Sequence, residues 1–224
     1  MKYRDTTFCI AREAWRFAVP VAGVAVCLLL ITRSWIPFGL LMILTIYILA
    51  FFRNPHRNTP KDDGLIVCPA DGVVTAAGIV SHPDFPNGQA LRVAVFMSLL
   101  NVHINWTPCA GTVERVAYVP GKFVNAINDK AADENEHKNI WLRRADGRLI
   151  VFTPVAGLVA RRIVNPVDTG DVLEAGEKVG LICFGSKVET LMPADTELLV
   201  NVGDKVSGGL TILGRLSHQN EEKE

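Results

Sequence analysis

The sequence predicts a mainly β domain preceded by an N-terminal helical hairpin in a membrane. Three observations indicate this. The chain from Phe17 to Phe52 is almost wholly apolar, with Arg33 as its single charged residue. The remainder contains short β-branched runs separated by turn signals. A Gly-Asp pair followed by a further glycine occurs twice near the C-terminus, which is typical of repeated hairpins.

The apolar run divides at Arg33-Ser34 into two stretches, Phe17–Thr32 and Ile36–Phe52. Each is slightly shorter than the roughly 20 residues that cross a bilayer upright. Basic residues before and after the run place both ends on the cytoplasmic side. A signal peptide would not be followed by a second apolar stretch, and soluble cores seldom hold so long an uncharged run. We predict residues 1–52 as a membrane-associated hairpin, either fully spanning or re-entrant.

Residues 53–224 form the second predicted domain. Pro-Asn-Gly at 86–88 and Ala-Asp-Gly at 145–147 mark turns between its short apolar runs. The predicted strands are Leu65–Cys68, Gly72–Val74, Leu91–Phe96, Thr112–Tyr118, Ile140–Leu142, Leu149–Phe152, Arg162–Val164, Leu198–Val200 and Leu210–Leu213. Residues 121–136 are polar and irregular, so we predict a long loop, a type of segment that often carries function.

A weak internal repeat refines the fold class. Gly170-Asp171 followed by Gly176 is echoed by Gly203-Asp204 followed by Gly209, and Pro-Ala-Asp at 69–71 is echoed at 193–195. Such hairpins are common in small barrel-sandwich domains, with glycine wherever φ is positive. We therefore predict a barrel-sandwich (biotinyl/lipoyl-like) β core with long loops. A carrier function would need an exposed lysine at a hairpin tip, and no lysine stands in that setting.

Composition excludes several functions. The 23 basic residues balance 23 acidic ones, so the chain lacks the basic surplus of a general nucleic-acid binder. Its five cysteines include no C-x-x-C pair, which excludes a zinc ribbon and a disulfide framework and predicts small buried side chains. There is no H-x-x-x-H spacing, no glycine-rich phosphate loop and no G-x-S-x-G turn. We expect no metal and no nucleic-acid partner.

Taken singly, the residues that could carry chemistry are ambiguous. Gly185-Ser186 is a common turn dipeptide, and Asp71 has the position of a turn aspartate. His103 lies in a largely apolar segment, where a structural histidine is the usual case. Asp-Glu-Asn-Glu-His at 133–137 has the composition of a solvated acidic loop.

The order of these segments is more informative. The apolar hairpin ends in Phe-Arg-Asn-Pro at 52–55 and is followed by five further motifs. These are Pro-Ala-Asp-Gly-Val-Val at 69–74, Phe-Met-Ser-x-x-Asn-Val-His at 96–103, Glu-Asn-Glu at 134–136, Ala-Gly-Leu-Val-Ala-Arg-Arg-Ile at 156–163 and Phe-Gly-Ser at 184–186. Over residues 50–213 this series resembles the short, archaeal-type form of the phosphatidylserine decarboxylase proenzymes.

The resemblance implies a self-cleaving enzyme. The Ser186 hydroxyl would attack the Gly185 carbonyl, and elimination and hydrolysis would leave a pyruvoyl group derived from Ser186 as the covalent cofactor. Residues 1–185 would become a membrane-attached β chain and residues 186–224 an α chain. The pyruvoyl ketone would form a Schiff base with phosphatidylserine and accept the electrons left by CO2, giving phosphatidylethanolamine for phospholipid biosynthesis.

The implied partners are the phospholipid in the membrane and the chain's own two products, which form a heterodimer. The implied location is the cell membrane, with the catalytic domain on the cytoplasmic side. Whether the heterodimer assembles into a higher homo-oligomer is left open.

The resemblance also implies roles for individual residues. Asp71 resembles the acidic member of the self-cleavage machinery, in which an Asp–His pair would activate the serine. His103 matches a histidine that holds the substrate carboxylate or supplies a proton. Longer family members carry a second histidine three residues later, where this chain has Trp106. The cleavage base is thus open between His103 in both steps, His137 entering the site, and another group.

Two further questions stay open at the level of sequence. Arg161 and Arg162 are either ligands of the lipid phosphate or a charge pair at a strand edge. The substrate is either phosphatidylserine or an ether-linked serine lipid such as archaetidylserine, because the reacting headgroup is the same. A function of another class, a membrane-anchored barrel-sandwich adaptor without catalysis, usually includes long helical arms, and no stretch here could form them.

Overall fold

The computed structural model describes residues 9–121, 135–157, 163–182 and 186–217. The chain divides into two compact units. One contains residues 4–56, and the other contains residues 57–224 together with 1–3. The sequence places the boundary slightly earlier, after residue 52.

The first unit is a pair of helices, α1 (Trp15–Thr32) and α2 (Trp35–Phe51), preceded by a 3-10 turn. Helix α1 ends because Arg33 adopts the left-handed conformation, with φ of 53°. The Thr32 hydroxyl accepts a hydrogen bond from the Ser34 N–H at 3.2 Å, which fixes the reversal. The predicted helical hairpin, with its break at Arg33-Ser34, is confirmed.

The surface of the hairpin is apolar. The helical segment Arg12–Thr32 is long and apolar enough to cross a membrane, while α2 is apolar but shorter. Large side chains such as Leu30, Ile31 and Ile36 are more than two-thirds exposed. Exposed apolar surface on this scale needs a partner such as lipid, which supports membrane association.

The second unit is built from strands in one large and two small antiparallel sheets. Its described strands are β1 (Leu65–Val67), β2 (Gly72–Ser81), β3 (Gln89–Met97), β4 (Ile104–Trp106), β5 (Gly111–Val119), β6 (His137–Arg143), β7 (Leu149–Ala156), β8 (Ile163–Val164), β9 (Val172–Leu173), β10 (Lys178–Ile182), β11 (Ser186–Pro193), β12 (Glu197–Leu198), β13 (Lys205–Val206) and β14 (Ile212–Arg215). The eight-stranded sheet has the order β13-β2-β3-β11-β7-β6-β5-β9. The small sheets have the orders β1-β14-β12 and β4-β10-β8.

The predicted repeat corresponds to an internal symmetry. Gly170 and Gly203 have φ of 90° and 97°, and their N–H groups donate to Val113 and Val74 respectively, each at 2.8 Å. Strands β13-β2-β3-β11 thereby mirror β9-β5-β6-β7 across the centre of the large sheet. The Gly-Asp part of the repeat is confirmed. The Pro-Ala-Asp echo has no structural counterpart, because residues 69–71 precede β2 whereas Pro193 ends β11.

The core lies on one face of the large sheet and is closed by the small sheets. Val95, Phe152, Val188 and Leu213 are among its fully buried members. A smaller apolar cluster lies on the opposite face, around Phe85. This arrangement agrees with the predicted mainly β, barrel-sandwich fold.

The strand predictions are right in kind but incomplete. Each predicted strand overlaps an observed one, and the structure extends several of them, with β2 continuing to Ser81. The pattern missed β4, β9, β10, β11 and β13. Two of these, β10 and β11, flank the predicted cleavage point.

The cysteines divide into two groups. Cys68 and Cys109 are buried, as predicted, and burial raises the pKa of their thiols to about 12 and about 11. Cys9 and Cys27 are exposed, so the prediction of burial is wrong for them. Both precede or belong to the apolar hairpin, whose outer surface the protein leaves uncovered. Cys183 lies outside the described residues.

Candidate active site

Four of the predicted site residues lie at or next to one end of the large sheet: Ser186, His103, Asp71 and His137. In an antiparallel sheet, the start of one strand lies beside the end of the next. Ser186, at the start of β11, pairs with Met97 at the end of β3 and with Ala156 at the end of β7. By the same rule, this end also contains the start of β2, the start of β6 and the end of β5. We call it the Ser186 end.

Ser186 is completely buried. Its side chain is on the core face of β11, and its hydroxyl lies 3.2 Å from the sulfur of Met97. The Nδ2 atom of Asn105, another buried residue, lies 3.9 Å from the same sulfur. The hydroxyl therefore contacts a weakly accepting sulfur, and β3 and β7 fix the backbone of Ser186 on both sides.

The predicted scissile segment connects two different sheets. Ile182 ends β10 in a small sheet, and Ser186 begins β11 in the large sheet. Gly185, the predicted cleavage residue, lies outside the described residues, as do Arg161 and Arg162. Ile182 and Ser186, the described residues that border this segment, are each held by strand pairing.

His103 is attached to this segment through its backbone. The Ile182 N–H donates to the carbonyl of His103 at 3.1 Å. The imidazole is buried, and its Nδ1 atom lies 3.0 Å from the carbonyl oxygen of Asn101. Because a carbonyl can only accept, Nδ1 carries the proton, and Nε2 is the basic nitrogen of the neutral ring.

Asp71 is held by an arginine. The Arg57 guanidinium makes a bidentate ion pair with its carboxylate, at 2.5 and 2.8 Å. The Gly208 N–H donates to the same carboxylate at 2.8 Å, and Arg57 also donates to the Gly208 carbonyl. Among the contacts of the described residues, the partners of Asp71 are these two groups. The predicted pairing of Asp71 with a histidine is not among them.

Trp106 explains this arrangement in part. Its ring lies under the Arg57 guanidinium, with the guanidinium carbon 4.4 Å from the ring centroid. The ring also packs on Gly208, where an added Cβ would lie 2.3 Å from it. The indole, at the sequence position where the resemblance implies a second histidine in longer family members, thus packs beneath the Arg57–Asp71 pair. Sequence reasoning missed Arg57, and its only signal was a basic residue just after the hairpin.

His137 lies at the Ser186 end but on the other face of the sheet. It pairs across the strands with Val155, whereas Ser186 pairs with Ala156. Neighbouring residues of a strand point to opposite faces, so the His137 side chain is directed away from the Ser186 hydroxyl. Its Nδ1 atom lies 2.7 Å from the carbonyl oxygen of Asn135.

One cavity lies apart from most of these residues. It has a volume of about 850 Å³ and lies between the segment 57–65 and the loop 174–177. Arg57 is the one site residue in its lining, which includes neither Ser186 nor His103. This cavity is therefore not centred on Ser186. Within the part of the chain that is described, no cluster of His, Cys, Asp or Glu could hold a metal ion.

Comparison with known proteins identifies the family. The family model for phosphatidylserine decarboxylase matches residues 44–214. A phosphatidylserine decarboxylase proenzyme of Novosphingobium aromaticivorans is 47% identical over 188 residues, covering 79% of this chain and 75% of the relative. The proenzyme of Ruegeria pomeroyi is 42% identical over 222 residues, covering 96% of this chain and 100% of the relative. That of Symbiobacterium thermophilum is 43% identical over 207 residues, covering 92% and 95%. This chain therefore belongs to the phosphatidylserine decarboxylase proenzyme family.

Proposed function

We propose that this chain cleaves itself between Gly185 and Ser186 and then converts phosphatidylserine to phosphatidylethanolamine and CO2. The pyruvoyl group formed from Ser186 is the cofactor. The observation that carries the proposal is the position of Ser186, which is buried at the start of β11. Three residues separate it from the end of β10, where the Ile182 N–H donates a hydrogen bond to the carbonyl of His103. Family membership supports the chemistry, and this geometry supports the assignment of the reacting residue.

The strand pairing is compatible with cleavage at this bond. After a cut between residues 185 and 186, β10 keeps its partners β4 and β8, and β11 keeps its partners β3 and β7. No strand pair has to break. Because β11 lies in the middle of the large sheet, residues 186–224 would remain bound to residues 1–185 as a non-covalent heterodimer.

In the cleavage step, the Ser186 oxygen attacks the carbonyl carbon of Gly185 and converts the amide to an ester. The absence of a side chain on Gly185 leaves this carbonyl open to attack. Loss of the α-proton of residue 186 then expels the Gly185 carboxylate and leaves dehydroalanine. Hydrolysis of dehydroalanine gives the pyruvoyl group and releases ammonia.

We assign to His103 the role of the general base. Its backbone is bonded to Ile182 at the scissile segment, and its Nε2 atom is the basic nitrogen. A positioned base of this kind contributes about 10²–10⁴-fold. His137 is the less suitable candidate because its side chain is on the opposite face of the sheet from Ser186.

Asp71 acts in this proposal as a positioning residue. Its carboxylate and Arg57 together hold both backbone groups of Gly208, which ties the start of β2 to the loop before β14. In decarboxylation, a pyruvoyl group at residue 186 would provide the ketone that captures the substrate amine and accepts the electrons left by CO2. The burial of Ser186 beside Met97 and Ala156 fits such a group, since it keeps water away.

The relatives support the proposed lipid, and the hairpin supports the proposed location. The relatives are named for phosphatidylserine, which favours this substrate over an ether-linked serine lipid. Their description as proenzymes gives no support to a non-catalytic adaptor. The apolar hairpin with basic flanks supports attachment to the cell membrane with the catalytic unit on the cytoplasmic side. Arg161 and Arg162 remain the proposed ligands of the lipid phosphate.

The proposal is tested by measuring CO2 release from phosphatidylserine by the reconstituted full-length protein. The wild type should be active and should run as two chains. Ser186→Ala should remain one chain and release no CO2. Ser81→Ala, which changes an exposed serine at the other end of β2, should behave as the wild type. Decarboxylation by Ser186→Ala would refute the assignment.

A further inference from the structure

Two leucines protrude at the Ser186 end. Leu99 and Leu100 are 41% and 75% exposed, and they occupy the tip of the four-residue turn from Ser98 to Asn101. The Asn101 N–H donates to the Ser98 carbonyl at 3.0 Å, which closes the turn. We call residues 98–101 the leucine turn.

The leucine turn is closed by hydrogen bonds at its base and is connected to the site. The Asn101 side-chain oxygen accepts hydrogen bonds from the N–H and the hydroxyl of Ser98, at 2.8 and 2.7 Å. The Asn101 carbonyl oxygen lies 3.0 Å from Nδ1 of His103. The turn directly follows β3, whose last residue contacts the Ser186 hydroxyl. One short segment therefore links the exposed leucines to both residues of the proposed chemistry.

Further apolar surface lies at the same end. Tyr118 and Val119, at the end of β5, are 58% and 36% exposed. The chain has no Asp, Glu, Lys or Arg between Arg92 and Glu114, so the turn and both its flanks carry no fixed charge. Exposed apolar side chains on an uncharged loop, with a tyrosine nearby, are the composition of a membrane-interface surface.

We propose that the leucine turn, with Tyr118 and Val119, inserts into the lipid bilayer and brings the Ser186 end to the headgroups. This inference rests on the proposed function, because the proposed substrate is a lipid whose headgroup is presented only at the bilayer surface. The reacting residue must therefore meet that surface, and the exposed apolar groups stand at its end of the sheet. The hairpin ties the chain to the membrane, whereas the leucine turn orients the site toward it.

The test uses the full-length protein reconstituted in phosphatidylcholine vesicles. Long-chain phosphatidylserine in the same vesicles is one substrate, and dihexanoyl phosphatidylserine, added as monomers from solution, is the other. The double variant Leu99→Ser with Leu100→Ser should turn over the vesicle substrate at least about tenfold more slowly, because membrane binding scales with buried apolar area. Its rate on the monomeric substrate should stay within about twofold of the wild type.

A matched double variant controls for the loss of apolar surface as such. Ile79 and Val172 are 52% and 63% exposed and lie toward the other end of the sheet. Ile79→Ser with Val172→Ser should stay within about twofold of the wild type on both substrates. Equal losses of the leucine-turn variant on both substrates, or no loss on the vesicle substrate, would overturn the proposal.

A measurement without turnover separates this inference from the proposed function. The tryptophan introduced by Leu100→Trp should add fluorescence to that of the wild type. Brominated phosphatidylcholine in the vesicles should quench this added fluorescence. Absence of this quenching would overturn the docking proposal even in an active enzyme. A wild type inactive on both substrates would count against the proposed function, while quenching would still decide on docking. A change of oligomeric state in the double-leucine variant, measured by analytical ultracentrifugation in detergent, would assign the surface to self-association and overturn membrane docking.

Discussion

Replacement of Arg57 by alanine should destabilise the catalytic unit, because it leaves the Asp71 carboxylate with the Gly208 N–H as its remaining described partner. The Arg57 and Asp71 side chains are 11% and 12% exposed, and the pair is bidentate. Removing one member of a buried ion pair typically costs about 3–5 kcal/mol. Since the bond from Gly208 remains, we expect the lower end, about 3 kcal/mol. For a unit of this size, the Tm should fall by about 6–12 °C.

The assay is thermal unfolding in detergent, monitored by circular dichroism. All variants are made in the Ser186→Ala background, so that every sample is one uncut chain. Adding Asp71→Asn to Arg57→Ala should recover part of the loss, with a coupling free energy of about 2 kcal/mol, because the second change removes the uncompensated charge.

Arg115 provides a matched control for this experiment. It pairs with Asp84 at 2.7 Å and lies over the ring of Trp141 at 3.9 Å, but its side chain is 55% exposed. Arg115→Ala should therefore cost less than about 1 kcal/mol. If Arg57→Ala and Arg115→Ala lower the Tm equally, or if the Arg57 and Asp71 changes are additive, the pair does not hold the loop as we infer.

Three further outcomes are expected. His103→Ala should reduce self-cleavage or decarboxylation by about 10²-fold or more, while His137→Ala leaves both largely intact; the reverse ranking in a gel and CO2 assay would transfer the role. Cys68 and Cys109 should resist iodoacetamide at pH 8 until the protein unfolds, since burial keeps their pKa values at about 12 and about 11; rapid native labelling, seen by mass spectrometry, would contradict this. Burial opposes ionisation of Asp146, but hydrogen bonds from two arginines hold its pKa at about 2. Its carboxylate therefore stabilises the fold above the unfolded-state pKa of about 4 and loses this contribution as the pH falls toward 2. Asp146→Asn should lower the free energy of unfolding at pH 7 by about 1 kcal/mol after screening, and by least near pH 2, as measured by thermal unfolding at both pH values.

The predictable parts of the structure are those that local rules determine. The hairpin follows from the uncharged run and its single break at Arg33, where no long-range contact is needed. The Gly-Asp turns were recognisable because Gly170 and Gly203 need positive φ, which restricts the residue type. The general position of the strands follows from β-branched runs bounded by turn residues.

The residues proposed to react could be named from the sequence, but their supporting contacts could not. Ser186 and His103 could be named because their motifs resemble those of a family. The ion pair of Asp71 with Arg57 could not be predicted, because the two residues are 14 positions apart in the chain. Their shared partner, Gly208, lies in a loop 137 positions from Asp71. The alternation in β11 was also missed, because its Ser-Lys-Val-Glu-Thr sequence mixes polar residues into a strand buried between two neighbours.

Lys187, which directly follows Ser186, illustrates the same limit. Lys187 is 1% exposed, and its ammonium lies 2.8 Å from the Glu189 carboxylate on the face opposite to Ser186. Lysines are almost never fully buried unless they are paired. Its burial depends on strand pairing with β3 and β7, which no local pattern reveals.

Conversion of Ser186 to a pyruvoyl group can be read directly from the intact mass of the purified full-length protein. We expect two chains, and the fragment 186–224 should be lighter by one ammonia than the product of simple hydrolysis. The same fragment should resist Edman sequencing, because a pyruvoyl group has no amine. A single uncut chain that decarboxylates phosphatidylserine, or a fragment with a free amino-terminal serine in the active enzyme, would show that Ser186 is not the source of the cofactor.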